Sequence, residues 1–570
     1  MAIYHWNNGN LKKAKEFYQE VIDNYFYQIK TTFPIFSEQQ KADFYYNKLY
    51  PAFEIYNTLA IASGEQEMIN KMYDHQLAIK GLVMYATDRV RENIINSNDS
   101  TLIKTYVQWI NDKERLSQYY NMSLDELDEQ NIDLDSVENS LNETEKYLSK
   151  KSDVFGQIFD QNIPTWKNVQ AQLKKDQAAI ELVRFRNYDP GGTGKFEDKI
   201  TYAALILTQE MADGPELVLI NNGKELENRY LSNYRNAIRF QIEEDFSYDQ
   251  FWRPIKKGLP AGIKKVYFAP DGVYNQVSLN TFQNPETKKY LLEEVEINSL
   301  TNTKELLEQP TSSGKDGDAY LFGFPDYNLG FYNKPKSMSV PEKNLDRGLR
   351  GTLRSFIRGN ELLVMLPGTK KEVEEIDSIL TQTKQKSRVF LGEEALEHNV
   401  KSVASPKVLH IATHGFFLED NQLPEDEGST AYVRNPLLRS GLIMAGVNKF
   451  LSDEDFSGED GILTAYEAMN LDLRNTDVVV LSACETGLGT VKNGEGVYGL
   501  QRAFKVAGAE TIIMSLWEVD DAATQELMTE FYNQWLKGKE KNQAFRDAQL
   551  TLMKKYDYPF YWGAFVMNGE

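Results

Sequence analysis

The segments Val408–Phe417, VLHIATHGFF, and Val478–Gly489, VVVLSACETGLG, share one pattern. Each is a run of apolar, β-favouring residues that stops at a reactive side chain close to a glycine. Such a run is typical of a buried parallel strand. The first strand delivers His414 and the second delivers Cys484. Because open α/β sheets bind ligands at the carboxyl ends of their strands, the sequence predicts a functional site at this edge.

Cys484 is the only cysteine among 570 residues. The sequence therefore excludes an intrachain disulfide and any zinc or iron–sulfur site built from several cysteines. Two roles are left, a small buried hydrophobic residue or a nucleophile. The polar, glycine-containing turn at 485–487 favours a thiol at the sheet edge, and hence a nucleophile.

His414 is followed by Gly415, which has no side chain to obstruct a substrate. A cysteine and a histidine from two strand ends can form a dyad, in which the imidazole helps to generate the thiolate or protonates the leaving amine. His410 lies four residues earlier, inside the strand, and is interpreted as a core histidine. The other three histidines fall in helical or surface-like segments and are not candidates.

Six further segments carry recognisable motifs in a fixed order. They are Pro436–Leu442, Asp460–Leu463, Ser482–Gly487, Gly494–Phe504, Ser515–Trp517 and Tyr561–Phe565. Together they resemble the CHAT domain, a branch of the caspase-like cysteine peptidases that also includes separase. The resemblance is dense over 319–569 and looser from Trp166 onward. It implies a caspase-like α/β fold, a parallel-sheet-rich α/β/α sandwich.

The resemblance also implies roles for individual residues. Cys484 matches the family nucleophile, and His414 matches its general acid/base. The backbone N–H groups of Gly415 and Cys484 match the donors of the oxyanion hole, a role that preorganised amides suit because they oppose the charge on the carbonyl oxygen. The expected mechanism needs no metal and no other cofactor.

Substrate preference is predicted from the segment after Ser515. Trp517, Glu518, Asp520 and Asp521 are similar to a separase segment that forms part of an arginine-accepting pocket. By that match, Asp521 or Asp520 pairs with a basic P1 side chain through a charge-assisted hydrogen bond. The alternative is that these aspartates cap the following helix. An apolar P1 residue also stays open.

Composition narrows the class of protein. A chain of 570 residues with 41% hydrophobic and 12% aromatic residues is long and apolar enough for several packed domains. Neither a secretory leader nor a run of about 18 apolar residues is present, so we expect a cytoplasmic protein without membrane contact. The net charge of −21 argues against nucleic-acid binding, which requires clustered Lys and Arg. An acidic protein more readily attracts basic peptide segments.

We predict three domains. Residues 1–160 form an all-α domain, 161–310 a non-catalytic caspase-like α/β half, and 311–570 the catalytic domain. The amphipathic helix Asn10–Asn24 resembles half of a tetratricopeptide repeat, although no second copy follows. Residues 308–318 are predicted to be a linker.

Other local patterns predict single features of the chain. Ser37 and Gln40 predict a capping box at the start of a helix. Pro51 lies inside that helix and predicts a break or a kink in it. Gly191–Lys195 lacks the residues of a phosphate-binding loop and is interpreted as a hairpin loop. The acidic segments 419–428 and 452–460 are either solvated loops or overhang the cleft and favour basic substrates.

The sequence as a whole predicts a cysteine endopeptidase, and the resemblance to CHAT domains joined to helical repeats implies one of bacterial type. By resemblance, such enzymes are held inactive until a partner engages the helical region, and they cut dedicated protein substrates, including antiviral defence proteins such as gasdermins. One alternative is a non-catalytic scaffold that uses the caspase-like fold for interactions. A nucleotide-binding enzyme is disfavoured, because the glycine pair at 487 and 489 lacks a third glycine at Lys492.

Overall fold

The computed structural model describes residues 1–120, 122, 124–152, 163–192, 194–308, 317–330, 362–418, 435–452 and 459–569. These residues divide into two compact units. The first unit comprises Met1–Trp109, Asn139–Gln309 and Val491–Gly496, and the second comprises Ile110–Glu138, Pro310–Thr490 and Val497–Glu570. The division into three domains stays a prediction. Most of the predicted linker and of both acidic segments lies outside the described residues.

The N-terminal part of the chain is helical, as predicted. Its α-helices are Ala2–Asn7, Leu11–Thr32, Glu38–Phe44, Tyr50–Ser63, Gln66–Ile79, Leu82–Asn96, Ser100–Tyr120, Leu124–Glu129 and Leu134–Lys151. The predicted capping box at Ser37 and Gln40 is present. Pro51 has no N–H to donate, and a π-helical turn, Tyr45–Leu49, precedes it. The helical pattern of the sequence continues over 66–96, but the structure has two helices there, separated at Gly81, which adopts a φ of 72°.

Aromatic side chains form much of the helical core. His75 is buried among them, with its ring centroid 4.5 Å from that of Tyr56. Burial lowers the pKa of His75 to about 3, so the ring is neutral at physiological pH. This histidine lies in a helix and belongs to the core, whereas the sequence analysis placed it only among helical or surface-like segments.

The first unit also contains a mixed sheet. Its strands are β1 (Gln177–Tyr188), β2 (Phe196–Thr208), β3 (Glu216–Ile220), β4 (Lys265–Ala269) and β5 (Glu296–Ser299), in the order β3-β2-β1-β4-β5. Strands β1, β4 and β5 are parallel, whereas β2 and β3 run antiparallel to their neighbours. The helices around this sheet are Trp166–Gln172, Gly223–Glu225, Leu231–Arg239, Arg253–Gly258 and Leu291–Glu294. The glycine-rich run at 191–195 lies in the β1–β2 hairpin loop, as predicted.

The remaining strands lie in the second unit, apart from Val491–Gly496 of the last hairpin, and include the two strands predicted to carry the site. They are β6 (Ala319–Pro325), β7 (Ser387–Gly392), β8 (Val408–Ala412), β9 (Gly415–Phe417), β10 (Ser440–Ile443), β11 (Ile462–Thr464), β12 (Val478–Ser482), β13 (Thr490–Lys492), β14 (Gly496–Tyr498), β15 (Thr511–Ser515) and β16 (Phe565–Asn568). Six of them form a sheet in the order β16-β15-β12-β8-β6-β7, in which only β16 is antiparallel to its neighbour. Strands β9, β10 and β11 form a separate three-stranded sheet.

Helices alternate with these strands. They are Pro367–Gln382, Glu397–Lys401, Val447–Ser452, Ala465–Ala468, Leu500–Val506, Asp521–Trp535, Lys541–Met553 and Pro559–Trp562. The predicted fold class, an α/β architecture rich in parallel strands after an all-α region, is therefore confirmed. No helix within the described ranges is both long and apolar enough to cross a lipid bilayer.

One element differs from the sequence-based prediction. The apolar residues Val497, Leu500 and Phe504 predict a helix over 497–507, but the helix begins only at Leu500, because β14 pairs with β13 in a short hairpin. The tip of this hairpin belongs to the first unit. There the carbonyl of Gly494 accepts a hydrogen bond from Gly81 N–H at 2.8 Å, and the carboxylate of Glu495 accepts one from Val83 N–H at 2.9 Å. These partners lie about 400 positions away, at the start of the helix Leu82–Asn96.

Candidate active site

Two parallel strands place His414 and Cys484 at the same edge of the sheet. The register pairs Val408 with Val478, and the ladder continues to the last residue of each strand. Thr413 N–H extends the ladder by donating to the carbonyl of Ser482 at 3.1 Å. Each candidate residue therefore lies two positions beyond the end of its strand, as predicted.

Gly415 lies directly against the backbone of Cys484. A Cβ atom at position 415 would come within 2.5 Å of the Cys484 carbonyl oxygen. Real Cβ atoms do not approach an oxygen so closely, so this position requires glycine. The close approach shows that the segments carrying His414 and Cys484 meet.

The imidazole of His414 has one defined partner. Its Nε2 atom lies 3.0 Å from the carbonyl oxygen of Val364. A carbonyl can only accept, so Nε2 carries a hydrogen and, in the neutral ring, Nδ1 keeps its lone pair. Burial lowers the pKa of His414. This effect outweighs those of the Val364 carbonyl and the negative charge of Asp521, which both raise the pKa. The ring is therefore neutral near pH 7.

Cys484 is half-buried and its thiol is protonated in this structure. Burial raises the pKa of the thiol to about 11, and the charges of Glu518, Glu485 and Asp521 act in the same direction. The backbone N–H of Val519, which donates to the sulfur, opposes the shift. Glu485 has a φ of 57°, in the left-handed region, so the chain turns sharply right after the thiol.

Within the described part of the chain, no hydrogen bond joins Cys484 to His414. The imidazole instead donates to Val364, and the sulfur accepts from Val519. The thiol and the imidazole are therefore both neutral near pH 7. The Cys484–His414 dyad stays a prediction.

The backbone of β9 orients the amide of Gly415. Ile443 N–H donates to the carbonyl of His414, and Leu418 N–H donates to that of Arg439. In an antiparallel ladder these bonds involve alternate residues, so the N–H of Gly415 points away from β10. An oxyanion-hole donor must likewise keep its N–H out of the strand ladder. That role, for Gly415 and for the Cys484 amide, stays a prediction.

The four residues predicted to bind substrate differ in their contacts. Trp517 donates from Nε1 to the carbonyl of Phe560 at 3.2 Å, and Glu518 is exposed. The Asp520 carboxylate accepts from Ala523 N–H at 2.9 Å and so caps the helix Asp521–Trp535. The capping alternative therefore holds for Asp520. None of these contacts tests the predicted role in substrate binding.

The carboxylate of Asp521 is half-buried near the candidate dyad. Burial raises its pKa, and so do the charges of Asp520 and Glu372, whereas His414 lowers it. Its negative charge in turn acts on both His414 and Cys484. Asp521 is thus the aspartate whose charge reaches both reactive side chains.

His410 is a core histidine, as predicted. It is fully buried, and its Nδ1 lies 3.3 Å from the hydroxyl of Tyr532. Its Nε2 lies 2.9 Å from the Glu372 carboxylate, but the angles of this contact do not fit a hydrogen bond. The hydroxyl of Ser482 donates to the other oxygen of Glu372 at 3.1 Å. This buried group lies under the end of β12 and was missed by the sequence analysis.

Among the described residues, no group of three or more His, Cys, Asp and Glu side chains could hold a metal ion.

Comparison with known proteins gives short matches to curated relatives. Tetratricopeptide repeat protein 28 of Mus musculus is 31% identical over 111 residues, and the same protein of Homo sapiens is 32% identical over 111 residues. Each match covers 19% of this chain and 4% of the relative, so the chain spans only a small part of their length.

Solved structures of cysteine proteases are similar over a longer range. Arg-specific gingipain R is 11% identical with a TM-score of 0.32, covering 59% of this chain and 67% of its own. The separase–securin complex of Saccharomyces cerevisiae is 12% identical with a TM-score of 0.30, covering 57% and 17%.

The family comparison covers the largest part of the chain. The model of the CHAT domain matches residues 248–570, which is more than half of the sequence. The match contains both strands that lead to His414 and Cys484. The chain therefore belongs to the CHAT-domain family.

Proposed function

We propose that the chain is a cysteine endopeptidase in which Cys484 is the nucleophile and His414 the general acid/base. One observation carries the proposal. The parallel pairing of β8 and β12 brings both side chains to the same sheet edge, with Gly415 packed on the Cys484 backbone. Membership of the CHAT family supports cysteine-protease-like chemistry.

The proposed reaction follows from the hydrogen positions at the site. Nδ1 of His414 accepts the thiol proton, and the Cys484 sulfur attacks the carbonyl carbon of the peptide bond. The Gly415 and Cys484 amides stabilise the oxyanion. Nδ1 then gives the proton to the leaving amine as the C–N bond breaks. Water attacks the resulting thioester with Nδ1 as base, and the acid product and the thiol are released.

This reaction requires a change from the resting state. A thiol with a pKa of about 11 does not readily transfer its proton to an imidazole whose pKa is lowered. A basic P1 side chain bound at Asp521 would offset the negative charge that raises the thiol pKa. We therefore propose that a basic P1 residue both binds at Asp521 and favours the thiolate.

Regulation and biological setting extend the proposal by family resemblance. We infer a bacterial, cytoplasmic enzyme that a protein partner activates by engaging the helical region. Its substrate would be a single dedicated protein, such as a gasdermin-like protein of antiviral defence. Neither nucleic acid nor membrane is expected as a direct partner.

A peptide library analysed by mass spectrometry tests the proposal. Products should form with wild type and not with Cys484→Ala or His414→Ala, and they should end in Arg or Lys. In Asp521→Asn, kcat/KM for basic peptides should fall about 10- to 100-fold, the loss expected for one charge-assisted hydrogen bond. Cleavage after apolar residues would contradict the role of Asp521.

The competing scaffold hypothesis has support in the missing Cys484–His414 hydrogen bond. It predicts no products, and also no labelling of Cys484 by a peptidyl chloromethyl ketone. Labelling by an Arg-containing reagent, but not by free iodoacetamide at the same concentration, would favour the peptidase.

A further inference from the structure

Asn448 is fully buried at the start of the helix Val447–Ser452. Its side-chain oxygen accepts from the N–H of Leu363 at 3.1 Å, and its Nδ2 donates to the carbonyl of the same residue at 3.1 Å. Nδ2 also donates to the side-chain oxygen of Asn328 at 2.9 Å. One amide thus satisfies both backbone groups of Leu363.

Leu363 immediately precedes Val364, whose carbonyl oxygen accepts from His414 Nε2. The side chain of Val364 is 75% exposed, so its packing does little to fix this carbonyl. The stretch 362–366 forms neither helix nor strand. Its described hydrogen bonds before Leu366 are those to Asn448 and His414.

Asn448 also holds the other side of His414. Its backbone N–H donates to the carbonyl of Tyr327 at 3.0 Å. The hydroxyl of Tyr327 accepts from the backbone N–H of His414 at 3.3 Å, and the two rings lie 5.4 Å apart. Asn448 therefore hydrogen-bonds to two of the segments that contact His414.

We propose that Asn448 is a positioning residue, which holds the Val364 carbonyl on His414 Nε2 and so keeps Nδ1 free to accept the thiol proton. The neutral imidazole has one N–H, and the partner of one ring nitrogen decides which nitrogen carries it. The proposal deepens the proposed function, because only a catalytic His414 needs a defined tautomer. The tautomer itself can be measured without any substrate.

The chemistry of the contact requires an amide. Asn448→Asp keeps the size and the acceptor but cannot donate to the Leu363 carbonyl when ionised. Asn448→Leu keeps a similar volume and offers neither group. Asn328→Ala is the matched control, because it removes a partner of Asn448 and leaves both bonds to Leu363 in place.

The test is ¹⁵N NMR of protein labelled on its histidine rings, with the His414 signals assigned from His414→Ala. In wild type and Asn328→Ala, we expect hydrogen on Nε2 and a lone pair on Nδ1. In Asn448→Asp and Asn448→Leu, the two tautomers should mix, and the population with hydrogen on Nδ1 should rise at least threefold. An unchanged tautomer in a folded Asn448 variant would overturn the proposal.

Two further readouts keep the inference testable. If neither Asn448 variant folds, the wild-type spectrum decides, because hydrogen on Nδ1 in wild type contradicts the proposal outright. Where peptides are cleaved, Asn448→Asp should lower kcat at least tenfold with KM changed less than twofold. A wild type that shows the expected tautomer yet cleaves nothing, even with its activating partner bound, would refute the proposed function and leave the role of Asn448 intact.

Discussion

The sheets of the two units place polar side chains in equivalent positions but give them different surroundings. Asp271 lies two residues after β4 in the first unit, as His414 and Cys484 lie two residues after β8 and β12 in the second. Asp271 is 2% exposed, and its carboxylate accepts backbone N–H bonds from Arg184, Gly272 and Gly494 at 2.8–3.0 Å. This strand end is closed by structural hydrogen bonds.

In the second unit, the side chains at the equivalent strand ends have fewer hydrogen bonds than Asp271. His414 and Cys484 are only half-buried and are not bonded to each other within the described residues. Burial, and to a smaller extent the charges of Glu518 and Asp521, raise the pKa of the thiol and keep its proton in place. A polar side chain at the end of a parallel strand can therefore belong to a functional site. The groups around that side chain determine whether its role is structural or chemical.

The largest effect that we predict concerns the pH dependence of Cys484. Its alkylation by iodoacetamide should rise about tenfold per pH unit between pH 7 and 10, because only the thiolate reacts and the pKa is about 11. The mass of the adduct reports this residue alone, since the chain has no other cysteine. In urea, the rate should level off above the ordinary thiol pKa of about 8.5. A native rate that is already constant at pH 8 would mean that the thiol is activated at rest.

Asp271→Ala tests the structural role of the closed strand end. Three N–H groups would lose their acceptor, two of them buried, and each unsatisfied buried group costs about 1–3 kcal/mol. We expect the free energy of unfolding of the first unit to fall by about 3 kcal/mol or more, measured by hydrogen exchange in β4 with increasing urea.

The matched control for Asp271 is Asp198→Ala. This carboxylate is exposed and pairs only with Lys224 at the surface, so its loss should leave hydrogen exchange in β4 unchanged. Equal effects of the two substitutions would show that the Asp271 hydrogen bonds contribute nothing beyond a surface charge.

Sequence alone predicted the parts of the site that local patterns encode. The apolar runs before His414 and Cys484 identify buried strands, and parallel pairing then brings their ends together. The alternation of helices and strands likewise predicted the fold class. These features need only the period of hydrophobic residues and the residues that end each run.

The remaining features depend on partners that are distant in the sequence. Val364 lies 50 positions from His414, and Asn448 contacts Leu363 across 85 positions, with no motif to link them. The β13–β14 hairpin was missed because its strands have three residues each and its tip is fixed by Gly81 and Val83. Short strands with distant partners give no periodic signal.

The smallest effects that we predict distinguish two adjacent aspartates. Asp520→Ala removes the acceptor for Ala523 N–H and should destabilise the helix Asp521–Trp535 by about 1 kcal/mol, without changing the P1 preference. Asp521→Asn should change the P1 preference without destabilising this helix. The carboxylate of Asp521 makes no capping bond among the described residues, and its charge acts on the dyad. Thermal unfolding and the peptide library measure the two outcomes. If Asp520→Ala lost the preference for basic P1 residues, the capping carboxylate would also contribute to substrate recognition. The structural and the substrate-binding roles would then not be separated between Asp520 and Asp521.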